Sequence, residues 1–99
     1  MAGQVSQIEV EIKNANGMHM RPAMQFVDTA SRFQCKISVS NNQITVDGKS
    51  IMHMAMLAAG VGTKLKITAE GSDAQDALKE LHDLVEVRMF DEPGWQPKE

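Results

Sequence analysis

Cysteine is nearly absent: Cys35 is the only one among 99 residues. That excludes an intrachain disulfide, supplies no cysteine pair for a metal knuckle, and suits a reducing compartment. Alternating with Ile37 and Val39, Cys35 reads as a small buried apolar residue. No run of about 18 apolar residues occurs, so no membrane insertion is expected. The opening Met1-Ala2-Gly3-Gln4 lacks the charged and apolar regions of a signal peptide, and a cytoplasmic protein is the expectation. Excess positive charge is missing too. Ten Lys and Arg, scattered along the chain, stand against thirteen Asp and Glu, for a formal net charge of −3. A nucleic-acid binder would carry a basic stripe, so no nucleic-acid partner is expected. Neither a Gly-rich phosphate loop, nor an internal repeat, nor a low-complexity tract is present. The length suffices for one small domain with a single core.

The periodicity of the apolar residues supplies an element order. Ile8, Val10 and Ile12 alternate with Gln7, Glu9, Glu11 and Lys13, the pattern of a strand with one wet and one buried face. Ala23, Phe26, Val27, Ala30 and Phe33 recur at helical spacing and predict an amphipathic helix to about Arg32. Lys36 to Ser40 and Gln43 to Asp47, bracketing Asn41-Asn42, read as a β-hairpin. Ser50 is placed to cap a short helix running to about Ala58, beyond which Gly60 and Gly62 end it. Lys64 to Glu70 alternates again. Gly71-Ser72-Asp73 is a turn and N-cap, and Ala74, Ala77, Leu78, Leu81, Leu84 and Val85 mark the last helix. The order βαββαβα, with matching apolar stripes on the two longer helices, predicts an α+β fold: a two-layer sandwich with a four-stranded antiparallel sheet. Residues 1–87 form the expected domain. Residues 88–99, with Pro93, Gly94 and Pro97, are expected to be an irregular C-terminal extension, with Phe90 and Trp95 folded back onto the domain.

The chemistry concentrates in Asn14-Ala15-Asn16-Gly17-Met18-His19-Met20-Arg21-Pro22-Ala23. Asn16-Gly17 is a turn signal, and Pro22 is preset for the first turn of a helix, where its missing N–H costs nothing. His19 therefore falls at a helix N-terminus, where unpaired amides and the positive end of the macrodipole favour an anion. Arg21 adds a planar donor fork matched to phosphate oxygens. An imidazole beside an anion cradle can accept and hold a phosphoryl group, since phosphoryl transfer runs largely on positioning and electrostatics. The residue types alone leave a plain solvated cap as the alternative.

Gly17-Met18-His19-Met20-Arg21-Pro22-Ala23 closely resembles the active-site motif of the HPr family, the histidine-containing phosphocarriers of the bacterial phosphotransferase system, which usually reads Gly-Leu-His-Ala-Arg-Pro-Ala. The resemblance spans roughly Gln7 to Val87 and includes the element order, and it implies an open-faced β-sandwich with three helices over one face of the sheet. It implies that the Nδ1 atom of His19 accepts a phosphoryl group from phosphorylated enzyme I, derived from phosphoenolpyruvate, and passes it to a IIA domain. Arg21 would stabilise the phosphate, supported at the helix start by Asn16, Met20 and Pro22. The chain would be a stoichiometric carrier rather than an enzyme, monomeric and without a cofactor. Met20 stands where relatives have Ala or Thr, and His53 where they often have Gly or Lys, which bears on partner choice.

Gly48-Lys49-Ser50-Ile51-Met52 resembles the regulatory segment of HPr proteins, whose serine is phosphorylated by HPr kinase/phosphorylase. A phosphate at a helix N-cap is favoured by the dipole and adds nearly two negative charges to the surface. A regulatory module working through Ser50 is therefore a second functional expectation, beside the plain reading of Ser50 as a cap. The family also docks its partners on exposed apolar residues, for which Met18, Met20, Met24, Ile51 and Met52 are the candidates; flexible thioethers suit several partners. His53 beside His19, two histidines without a convergent carboxylate, would make a poor metal site, so no metal is expected, and His82 on the last helix is expected at the surface.

Overall fold

Seven segments alternate or repeat as their apolar spacing demands. In the computed structural model, which describes residues 5–15, 17–57 and 59–96, they are β1 (Val5–Glu11), α1 (Met20–Ala30), β2 (Lys36–Ser40), β3 (Thr45–Asp47), α2 (Ile51–Met56), β4 (Lys64–Glu70) and α3 (Ala74–His82). The four strands form one sheet in the order β1-β4-β2-β3, antiparallel throughout. Its register sets Val10 opposite Leu65 and Val39 opposite Ile67, so the inward residues of neighbouring strands fall in line. Val10, Ile37, Val39, Leu65, Ile67 and Ala69 are buried, while Glu9, Lys36, Lys64, Lys66 and Glu70 face solvent. The helices cover the inward face with Ala23, Phe26 and Ala30, then Met54, then Ala77, Leu78 and Leu81, closing a single core. The result is the expected open-faced α+β sandwich. Among the described residues no helix is long and apolar enough to cross a membrane.

Several boundaries move for local reasons. The third strand begins at Thr45 rather than Gln43, because Asn41 Oδ1 accepts from the amides of Gln43 and Ile44 at 2.7 and 2.8 Å and withdraws both from the ladder. The first helix stops at Ala30, two residues short of Arg32. There the amides of Arg32 and Phe33 turn to carbonyls three residues back, tightening the end into a 3₁₀ turn. The second helix ends at Met56; Ala58, Asn16 and Pro97 lie outside the described residues. The last helix, whose apolar positions run as far as Val85, is not uniform: α3 ends at His82 and passes into a π-helical turn, Asp83–Val87. The amide of Arg88 reaches Asp83 O at 2.7 Å, and the wider turn keeps both Leu84 and Val85 fully buried.

Asp73 precedes α3 as its N-cap, yet its carboxylate makes no cap bond there. It accepts instead from the amides of Gln34 and Cys35, each at 2.9 Å, tying the start of α3 to the loop before β2. Those bonds, that of Gln34 foremost, hold the Asp73 carboxyl below the ordinary range. Burial, reinforced by Asp73, pushes the Cys35 thiol up, so it stays protonated.

The π-helical turn delivers Glu86 to the edge of the sheet. Its carboxylate accepts from Glu11 N at 2.8 Å and pairs with Lys13 Nζ at 3.2 Å. The Glu11 amide, more than Lys13, holds the Glu86 carboxyl below its ordinary value of 4.5. The unfolded chain therefore binds this proton more readily than the folded one. The stabilisation is complete above about 4.5 and fades as pH falls through the depressed folded value. Glu86→Gln is expected to cost about 1–2 kcal/mol near neutral pH. In urea titrations at a series of pH values, the gap from the unmodified chain should narrow below pH of about 4.

Candidate functional site

His19 is the N-cap of α1, with the extended backbone (φ −93°, ψ −166°) that this position requires. Its carbonyl accepts from Ala23 N at 3.0 Å, closing the first helical turn. Its side chain makes no capping bond and is exposed. Of the four first-turn amide positions, Pro22 carries no N–H and Ala23 is spent on His19, leaving the amides of Met20 and Arg21 as the helix-end donors. The first turn of α1 holds no acidic residue to neutralise the positive end of the helix. An exposed imidazole therefore stands at the head of a helix N-terminus that no acidic side chain compensates.

The loop before His19 is fixed from beneath. Gly17 has φ +69°, and a Cβ built on it would lie 2.5 Å from the carbonyl oxygen of Ala59 and 2.9 Å from Cα of Gly60. Asn14 closes the turn, its Nδ2 donating to Gly17 O at 2.8 Å and its carbonyl accepting from Gly17 N at 3.0 Å. Met18 N then donates to Ala59 O at 2.7 Å. Two more bonds, Ile12 N to Thr63 O and Gly62 N to Ile12 O, lash the same loop to the segment before β4. His19 is thus held at the surface by backbone geometry rather than by contacts of its own ring.

Met18 requires a correction. Placed by sequence on the docking surface, it is only 5% exposed, because the left-handed turn at Gly17 and the bond to Ala59 direct it into the core. Met20 and Met52 are well exposed, at 56% and 79%, and Ile51 is exposed at 40%. Met24 is half-buried. With Val27, Asp28, Arg32, Ile51 and Trp95 it lines a groove of about 420 Å³ alongside α1. Ser50 is the N-cap of α2, and its Oγ accepts from His53 N at 3.2 Å. His53 accepts from Asp47 N through its Nδ1 at 3.3 Å, and His82 lies 3.6 Å from an Asp83 oxygen.

Arg21 brings in a residue to which the sequence reading gave no role at the site. Its guanidinium lies over the ring of Trp95, 5.1 Å from the centroid, and its Nη2 donates to the Trp95 carbonyl at 3.4 Å. The only signal in the sequence is that the chain's one tryptophan sits in a Pro- and Gly-bearing tail.

Comparison with known proteins agrees in one direction. A family model described as the PTS HPr component phosphorylation site matches residues 6–87. The phosphocarrier protein HPr of Pseudomonas aeruginosa is 45% identical over 86 residues, covering 86% of this chain and 94% of that protein. Among solved structures, HPr from Bacillus anthracis superposes with a TM-score of 0.79 at 41% identity, covering 83% of this chain and 98% of the other. HPr-C-His from Thermoanaerobacter tengcongensis superposes with a TM-score of 0.83 at 42% identity, covering 88% and 97%.

Proposed function

The chain belongs to the HPr family of phosphotransferase-system phosphocarriers, and on that footing we propose that His19 is its phosphoryl acceptor, loaded by phosphorylated enzyme I and unloaded onto a IIA domain. The observation that carries the reading is the exposed, uncapping imidazole of His19 at the N-terminus of α1. Neutral imidazole offers one nitrogen lone pair to phosphorus, which we assign to Nδ1. As the new N–P bond forms, the bond from phosphorus to the donor breaks and its electron pair stays with the donor. The ring keeps its proton on the other nitrogen. The amides of Met20 and Arg21 and the helix dipole face the equatorial oxygens as charge gathers on them, and the guanidinium of Arg21, the next residue but one after His19, adds its fork. Pro22 presets the turn, and Asn16 is assigned to the loop.

Residues 1–87 form the carrier domain in this reading, and 88–99 an extension to it. Met20, Met24, Ile51 and Met52 serve as the apolar docking surface around the histidine, where enzyme I and IIA domains would seat in turn. Arg21→Ala is expected to slow phosphoryl uptake about tenfold, an exposed guanidinium contributing less than a buried donor would. Circular dichroism of the variant should remain that of the folded chain, and a collapsed spectrum would reassign Arg21 to the fold.

The direct test is incubation with phosphoenolpyruvate and enzyme I from the same cell, followed by treatment with acid or alkali. Phosphate on His19 is acid-labile. An incorporated label that survives acid, or that survives His19→Ala, defeats the reading. A second reading, favoured by the part-exposed Ser50 hydroxyl at the start of α2 between Lys49 and the exposed Ile51, is regulation by phosphorylation of Ser50 by an HPr kinase/phosphorylase. It predicts that the chain isolated from cells carries only acid-stable phosphate.

A further inference from the structure

Beyond Val87, where the family match ends, residues 88–96 do not leave the domain. Arg88 is held by Glu80 and Glu92, the latter pair 2.9 Å apart. Met89 and Phe90 then adopt left-handed backbone (φ 50° and 61°), an unfavourable conformation for such side chains that Phe90 offsets by being buried. Phe90 N donates to Leu84 O at 2.8 Å. From the other side Gln25, an almost fully buried polar residue of α1, donates through Nε2 to Phe90 O at 3.0 Å and to Glu92 Oε1 at 3.2 Å. The segment is therefore fastened to both α1 and α3 before it reaches Trp95. Trp95 Nε1 donates to Asp28 Oδ2 at 3.3 Å, which orients the indole so that its face lies under the Arg21 guanidinium.

We propose that Trp95 is a holding site for Arg21: the C-terminal segment keeps the guanidinium on the indole in the unphosphorylated protein and surrenders it when His19 carries a phosphoryl group. The inference rests on His19 being the acceptor. Arg21 gives Trp95 one long hydrogen bond and one cation–π contact, both at the surface. A phosphate dianion offers it short, charge-assisted, bidentate bonds and wins. What Arg21 gives up at Trp95 is subtracted from the stability of the phosphohistidine. The segment thus makes the phosphoryl group easier to pass on, and Trp95 acts as a positioning residue through Arg21.

The test lets two chains compete for one phosphoryl pool. Equal amounts of the full-length chain and its Trp95→Ala variant are mixed with catalytic enzyme I and limiting phosphoenolpyruvate, and each phosphorylated species is quantified by mass. At equilibrium Trp95→Ala should hold roughly two- to fivefold more phosphate, the value of an exposed cation–π contact. Trp95→Phe, which keeps an aromatic face, should fall between. In the unmodified chain the emission of its single tryptophan should change when His19 is phosphorylated. A ratio near one, a ratio favouring the unmodified chain, or unchanged emission despite full phosphorylation overturns the holding site. Failure of the unmodified chain to take up any phosphate overturns the carrier reading, and this inference with it.

Discussion

His19→Asn is expected to lose all acid-labile phosphoryl uptake while becoming more stable than the chain it derives from. The loss follows because the other two histidines are differently placed. His53 is engaged by the Asp47 amide and His82 sits beside Asp83, and neither is the cap of α1. The gain follows from what His19 does not do. It occupies an N-cap with the right backbone angles, yet its side chain accepts no hydrogen bond from the helix it begins. Asparagine at that position can reach a first-turn amide, a contact worth about 0.5–1 kcal/mol. The chain forgoes this stability to keep an unencumbered imidazole at the helix end, as functional sites commonly do. Urea denaturation and phosphorylation with enzyme I, run on the same preparation, check both halves. A His19→Asn protein that still took up acid-labile phosphate would remove the histidine from its role.

Gly17→Ala is expected to be among the most destabilising single-methyl additions near the site. The position combines φ +69° with a carbonyl oxygen 2.5 Å from the added carbon, and the neighbouring atoms are backbone rather than a side chain that could swing aside. Left-handed strain and overpacking each cost about 1–3 kcal/mol, so roughly 2–6 kcal/mol in total is expected. For a domain of this size each kcal/mol lowers Tm by about 4–8 °C, and the loss should be plain in a thermal scan. Because the same contact seats the loop on Ala59 and directs Met18 inward, the residual folded protein should also accept phosphate more slowly than the original. A Gly17→Ala protein with unchanged Tm would show that the loop is not clamped as described.

The parts legible in the sequence were those whose causes are local. The alternation in Lys64–Glu70 and the three- and four-residue spacing of Ala23, Phe26 and Ala30 place their faces without help from elsewhere. The candidate site was legible for the same reason: turn, imidazole, guanidinium and helix-starting proline lie within one short stretch. What escaped depends on distant partners. Met18 looks exposable from its neighbours, and the turn at Gly17 together with the bond to the distant Ala59 sends it inward. The start of β3 was lost to a side chain, Asn41, competing with the sheet for two amides. The π-helical turn answers the need to bury both Leu84 and Val85, which helical spacing alone does not distinguish from a regular helix. The pairing of Arg21 with Trp95 joins residues at opposite ends of the chain, and no periodicity announces it.

Everything rests on one ring nitrogen of His19 taking the phosphoryl group. The most direct measurement is nitrogen and phosphorus NMR of the chain labelled with ¹⁵N-histidine, after incubation with phosphoenolpyruvate and enzyme I. The account predicts a phosphorus coupling at Nδ1 of His19 alone, with the resonances of His53 and His82 uncoupled. A coupling at either of those rings, or a phosphorus signal carried by a hydroxyl oxygen with His19 unchanged, would contradict it.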